Sequence, residues 1–147
     1  MSDKTILLVD DNDDDVVLTE RALKRNNIAN KVVVAKDGQE ALDYLFGRGK
    51  YMGRDLNQMP VVTLLDINMP RVSGFEVLKE VRSNPRTKLL PIVCLTSSRQ
   101  ERDIIKSYQE GSNAYVTKPV DFEQFAEAVR QLGLFWLVLN EPPPQVT

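Results

Sequence analysis

The chain has 147 residues, 42% of them hydrophobic, which suits one domain built on one contiguous core. Nineteen basic and 21 acidic side chains leave a formal charge of -2, which argues against a basic face for nucleic acid. No run is apolar enough to span a bilayer and no signal-peptide layout opens the chain, so the expected compartment is the cytoplasm. There is no histidine, which removes Ser-His nucleophiles, histidine metal ligands and any phosphohistidine on this chain. The one cysteine, Cys94, lies within IVCL and reads as a small buried hydrophobe.

In chain order, the first element is the strand TILLV at 5–9, which runs into Asp10, Asp11, Asn12, Asp13, Asp14 and Asp15. Helical spacing follows over 14–25, then a strand KVVVA at 31–35 and a helix over 38–46. Residues 47–59 show no period and read either as a recognition loop or as a tolerated insertion. The strand VVTLL at 61–65 leads to Asp66, and a helix spans 74–82. The strand PIVCL at 91–95 ends at Thr96, followed by a helix over 100–110. The strand AYVT at 114–117 ends at Lys118 and Pro119, and a long last helix runs from Asp121 to about Leu139. The tail 141–147 is proline-rich and reads as disordered, leaving a single domain over 1–140. The strands lack alternation, as parallel strands covered on both faces do, and strand and helix alternate. The expectation is a doubly wound α/β fold with a five-stranded parallel sheet.

In such sheets chemistry gathers beyond the carboxyl ends of the strands. In the order 2-1-3-4-5, Asp10, Asp11 and Asp66 converge in one crevice with Thr96 and Lys118 beside them. Crowded carboxylates require a cation, and Mg2+ takes oxygen ligands: Asp11, Asp66 and the backbone carbonyl of Asn68, with Asp10 orienting a metal-bound water. So neutralised, Asp66 attacks phosphorus while Mg2+ and Lys118 hold the equatorial oxygens and Thr96 donates its hydroxyl. Asp13 or Asp14 is expected to cap the first helix, and Asp15 to be a solvated first-turn residue.

These stretches, VDD at 9–11, DINMPRVSG at 66–74, LTS at 95–97 and YVTKP at 115–119, resemble the receiver domain of two-component response regulators from Thr5 to about Leu132. The resemblance implies the flavodoxin-like receiver fold, Asp66 as phosphoacceptor, Asp10 and Asp11 as the acid pair, and Thr96 and Lys118 as the phosphate-sensing pair. It implies Tyr115 as an aromatic switch and a cis bond between Lys118 and Pro119. GRGKY, SNPRTKLLPIVCLTSS and FWLVLNEP are similar to the stand-alone regulators that pair with cyanobacterial phytochromes, which implies a phytochrome-type histidine kinase as partner. Ser97 departs from the alanine common there, and Ser98 lies two past Thr96, where a side chain helps or hinders an attacking water.

Phe122, Phe125, Val129, Leu132 and Trp136 form one apolar stripe for the sheet. The added apolar surface at Leu134, Phe135, Leu137, Val138 and Leu139 suggests either a symmetric homodimer through the fourth strand, fifth strand and last helix, with Leu134, Phe135, Trp136 and Val138 at its interface, or a fold-back onto the same domain. The resemblance favours the dimer. Two other functional classes are weighed. A haloacid-dehalogenase-type aspartate phosphatase would use Asp11-Asn12-Asp13 as its DxD motif, but no late acidic pair follows the lysine; a non-phosphorylated docking scaffold is disfavoured because every site residue is present. The expectation is that the chain is not an enzyme.

Overall fold

The computed structural model describes residues 4–119, 121–141 and 143. Strands β1 (Thr5–Val9), β2 (Lys31–Ala35), β3 (Val62–Leu65), β4 (Ile92–Thr96) and β5 (Ala114–Thr117) alternate with helices α1 (Asp13–Arg25), α2 (Gly38–Phe46), α3 (Gly74–Ser83), α4 (Glu101–Gln109) and α5 (Phe122–Gly133). All strand pairs are parallel, in the order β2-β1-β3-β4-β5. The register aligns Val9 with Ala35 and Leu65, Leu65 with Cys94, and Thr96 with Thr117, which brings the strand ends level.

The two-residue period of a strand divides the apolar residues between two cores. Leu7 and Val9 of β1 pack with Ala41, Leu42 and Leu45 of α2 and Val77, Leu78 and Val81 of α3. Ile6 and Leu8 face the other way, onto Val16 and Leu23 of α1 and Phe125 and Val129 of α5. Central strands β3 and β4 are buried throughout, which is why they read as continuous apolar runs. Cys94 is fully buried, and its thiol is pushed up by that burial.

Three elements depart from the sequence reading. Residues 47–59 contain a 3-10 turn at Gly49–Tyr51, and Arg54 donates to the carbonyls of Tyr44 (2.7 Å), Gln58 (2.9 Å) and Asp55 (3.3 Å). Arg54 also lies 4.0 Å over the Tyr44 ring, so this insertion is bound to α2. The last helix is not one α-helix to Leu139: α5 ends at Gly133, and Leu134–Leu139 form a wider π-helical turn. That turn lays Trp136 and Leu137 against the α1/α5 core while Phe135 and Val138 stay exposed. Finally, the bond before Pro119 is trans, contrary to the expected cis form; trans is the isomer an X–Pro bond favours by about 0.5–1 kcal/mol unless its surroundings select the other. Of the expected disordered tail, residues 142 and 144–147 lie outside the described residues. Among the described residues no helix is long and apolar enough to cross a membrane.

Candidate functional site

The carboxyl ends of β1, β3, β4 and β5 meet in one crevice because their register ends level. The Asp10 amide donates to the Ala35 carbonyl at 3.0 Å and the Asp66 amide to the Val9 carbonyl at 2.9 Å, so both acids extend the sheet pairing by one step. Each side chain then accepts from the amide two residues on: Asp10 from Asn12 at 3.0 Å and Asp66 from Asn68 at 3.1 Å. These local bonds turn the backbone away from the strand and leave the carboxylates at its end. Gly74 is required here, since a Cβ at that position would lie 2.7 Å from the Asp66 carbonyl oxygen. Its absence lets α3 start against the Asp66 backbone, under a capping box between Ser73 and Glu76.

Asp10 and Asp66 are buried, at 1% and 8% exposure, while Asp11 is exposed. Oxygens of all three carboxylates lie within 4.8 Å of one another. The Thr96 hydroxyl donates to Asp66 Oδ1 at 2.9 Å. Lys118 Nζ donates to Asp10 at 2.7 Å and to Asp15 at 3.0 Å, and stands 3.7 Å from Asp66 Oδ2. Burial pushes the Asp10 carboxyl above its ordinary value, more than the Lys118 and Asn12 hydrogen bonds lower it. Burial alone would lower the Lys118 ammonium, but the bond and charge of Asp10 and the charge of Asp66 hold it above its ordinary value. The Tyr115 hydroxyl donates to the Ser98 carbonyl at 2.9 Å, and the Ser98 hydroxyl to Asp103 Oδ2 at 2.7 Å. The β4–α4 loop is thereby tied to both β5 and α4.

The sequence-predicted residues Asp10, Asp11, Asp66, Asn68, Thr96 and Lys118 therefore come together, with Tyr115 one hydrogen bond away through the loop that follows Thr96. Two of the opening acids were assigned differently from the sequence. Asn12, not Asp13 or Asp14, caps α1, its side chain accepting from the Asp15 amide, because an amide oxygen meets the same orphan donor and frees the acids that follow. Asp13 pairs with Lys36. Asp15, read as solvated, instead reaches Lys118; with Asn12 as cap it falls in the third helical position, and the first turn of α1 abuts the crevice.

The donor set fits a hard divalent cation, being all oxygen and carrying three formal negative charges against one ammonium. Three acids this close, two of them buried, are costly until something positive is placed among them. At the far end of the sheet, Leu134, Phe135 and Val138 are 45%, 47% and 71% exposed. Trp136 is half-buried, in edge contact with Phe135 at 5.0 Å. A cleft of about 480 Å³ lies between the β5 edge and this turn, lined by Ala114, Val116, Leu132, Phe135, Trp136 and Asn140 among others.

The response regulator receiver domain matches residues 6–130. Response regulator Rcp1 of Synechocystis sp. (strain ATCC 27184 / PCC 6803 / Kazusa) is 37% identical over 134 residues, covering 91% of this chain and 89% of the relative. A solved manganese-bound form of Rcp1 superposes with a TM-score of 0.86 at 35% identity, covering 96% of this chain and 99% of that one. The phosphorylated cyanobacterial phytochrome response regulator RcpA gives 0.88 at 38% identity, with the same coverage of 96% and 99%. The bacteriophytochrome response regulator RtBRR gives 0.76 at 51% identity, covering 96% and 84%. With the acid crevice, the hydroxyl and the lysine in place on the 2-1-3-4-5 sheet, the chain belongs to the receiver domain family of response regulators.

Proposed function

We propose that Asp66 takes a phosphoryl group from a phosphohistidine of a phytochrome-type sensor kinase, and that the phosphorylated chain signals by changing shape rather than by turnover. The observation that carries this reading is the asymmetry of the Asp66 carboxylate. Oδ1 accepts from the Thr96 hydroxyl at 2.9 Å and the Asn68 amide at 3.1 Å, while Oδ2 has Lys118 at 3.7 Å, beyond hydrogen-bond reach. Oδ2 thus keeps lone pairs for attack. The Oδ2–P bond forms as the donor P–N bond breaks, and the electron pair leaves on the imidazole nitrogen, which takes a proton.

As charge spreads over the equatorial oxygens, the Lys118 ammonium and the Thr96 hydroxyl are the donors within reach. Mg2+, held by Asp11, Asp66 and the Asn68 carbonyl with Asp10 orienting a bound water, would neutralise the crowded acids and the incoming group. Thr96 following the phosphoryl group would alter the loop on which Ser98 and Tyr115 meet, which makes Tyr115 the switch. The solved relatives named for phytochromes, RcpA and RtBRR, support the choice of kinase, and the formal charge of -2 supports a protein rather than a nucleic-acid partner. We place the protein in the cytoplasm, with a single receiver unit over residues 1–140. The exposed Leu134, Phe135 and Val138, with Trp136 behind them and β5 alongside, support a homodimer through β4, β5 and the C-terminal turn.

Incubation with acetyl phosphate and Mg2+ should add the mass of one phosphoryl group, and Asp66→Asn should abolish the gain. Unimpaired labelling of Asp66→Asn would place the acceptor elsewhere. Steady turnover of a chromogenic phosphomonoester would favour the phosphatase class instead.

A further inference from the structure

We infer that, given phosphoryl acceptance at Asp66, Asp15 is a positioning residue that aims the Lys118 ammonium at the incoming group. An ammonium carries three donors. Two are engaged here, by Asp10 at 2.7 Å and Asp15 at 3.0 Å. The third is left for the side where Asp66 Oδ2 stands at 3.7 Å, the place a phosphoryl oxygen would enter. With Asp10 alone, the four-carbon stem pivots about a single anchor; with two anchors the nitrogen is held.

Asp15 is itself firmly set. Its amide donates to the Asn12 side chain at 3.0 Å and its carbonyl accepts from the Thr19 hydroxyl at 2.8 Å, so the first turn of α1 is tied at both ends. The Asp15 side chain is 35% exposed, against 10% for Lys118 and 2% for Asp10, so it grips the lysine from the solvent side. The adjacent acids do not share this role, since Asp13 pairs with Lys36 and Asp14 is exposed. The five acids between 10 and 15 thus divide: Asp10 and Asp11 join Asp66, Asp15 serves the lysine, and Asp13 and Asp14 face outward.

The test compares Asp15→Ala, Asp15→Asn and Asp14→Ala. Asparagine keeps an acceptor oxygen for the ammonium but loses the charge, as alanine does, so the pair separates placement from field. Labelling by acetyl phosphate at saturating Mg2+ should slow about tenfold in Asp15→Ala and stay within about twofold of the parent in Asp15→Asn and Asp14→Ala. Equal slowing in the alanine and asparagine variants would reduce Asp15 to a contributor of charge, and an unchanged Asp15→Ala rate would remove it altogether. The Lys118 ammonium resonance in metal-free protein gives a readout that needs no phosphorylation. A slowly exchanging signal in the parent and in Asp15→Asn, lost in Asp15→Ala, is expected; its persistence in Asp15→Ala would overturn the proposal. Absence of labelling in the parent would count against phosphoryl acceptance itself, while the resonance would still decide the clamp.

Discussion

Asp10 is a carboxylate only 1% exposed whose burial outweighs its hydrogen bonds and raises its pKa above 3.8. The folded state then holds the proton more tightly than the unfolded chain. Stability is lost as pH rises from 3.8 through the raised folded value, and at neutral pH the ionised group is a net cost. Asp10→Asn should therefore raise the Tm of metal-free protein at neutral pH. The asparagine oxygen still accepts from the Asn12 amide, and Lys118 keeps Asp15. Adding Mg2+ should raise the Tm of the parent more than that of the variant, because a ligand stabilises what it binds. Melts with and without Mg2+ check this; a lower metal-free Tm for Asp10→Asn would contradict it. The Lys118 pairing has the opposite sense in use: its raised pKa means a stabilisation complete below 10.5 and lost as pH rises through the folded value.

The insertion between α2 and β3 shows what one side chain does for an element. Arg54 donates to three carbonyls, those of Tyr44, Gln58 and Asp55, and stacks 4.0 Å over the Tyr44 ring. A lysine has one nitrogen and no plane, so it cannot span these groups. Arg54→Lys should cost about 2 kcal/mol in urea denaturation while leaving the rate of Asp66 labelling unchanged, since the groups Arg54 holds, Tyr44, Asp55 and Gln58, are not those of the crevice. Loss of labelling at full stability would instead tie the loop to the site. From sequence this segment had no period, because its order comes from a guanidinium meeting carbonyls rather than from apolar spacing. By contrast, α2 over 38–46 was legible to the residue, since Asp37 caps it and Gly47 ends it at φ 67°.

At the scale of the whole molecule, the exposed C-terminal turn sets the expected assembly. Phe135→Ala removes an exposed ring and leaves Trp136 and Leu137 on the core, so the fold should survive it. Light scattering should report a dimer at micromolar concentration and a shift toward monomer in Phe135→Ala, with weakening of about tenfold or more. A parent that stays monomeric at high concentration would refute the dimer. Truncation after Leu132 is a poorer probe, because it strips Trp136 and Leu137 from their own core.

The sequence by itself determined the alternation of strand and helix, the two-sided burial of β3 and β4, and the chemistry waiting at the strand ends. Those properties are local: a two-residue or 3.6-residue period and the residue that follows an apolar run are written in contiguous positions. Tertiary structure alone decided that Asn12 rather than an acid caps α1, that the bond before Pro119 is trans, and that the last helix widens after Gly133. It decided, too, that Asp15 belongs to the site. That contact joins groups 103 positions apart, and its partner is fixed only when β1 and β5, on opposite sides of β3 and β4, bring their ends level in the folded sheet.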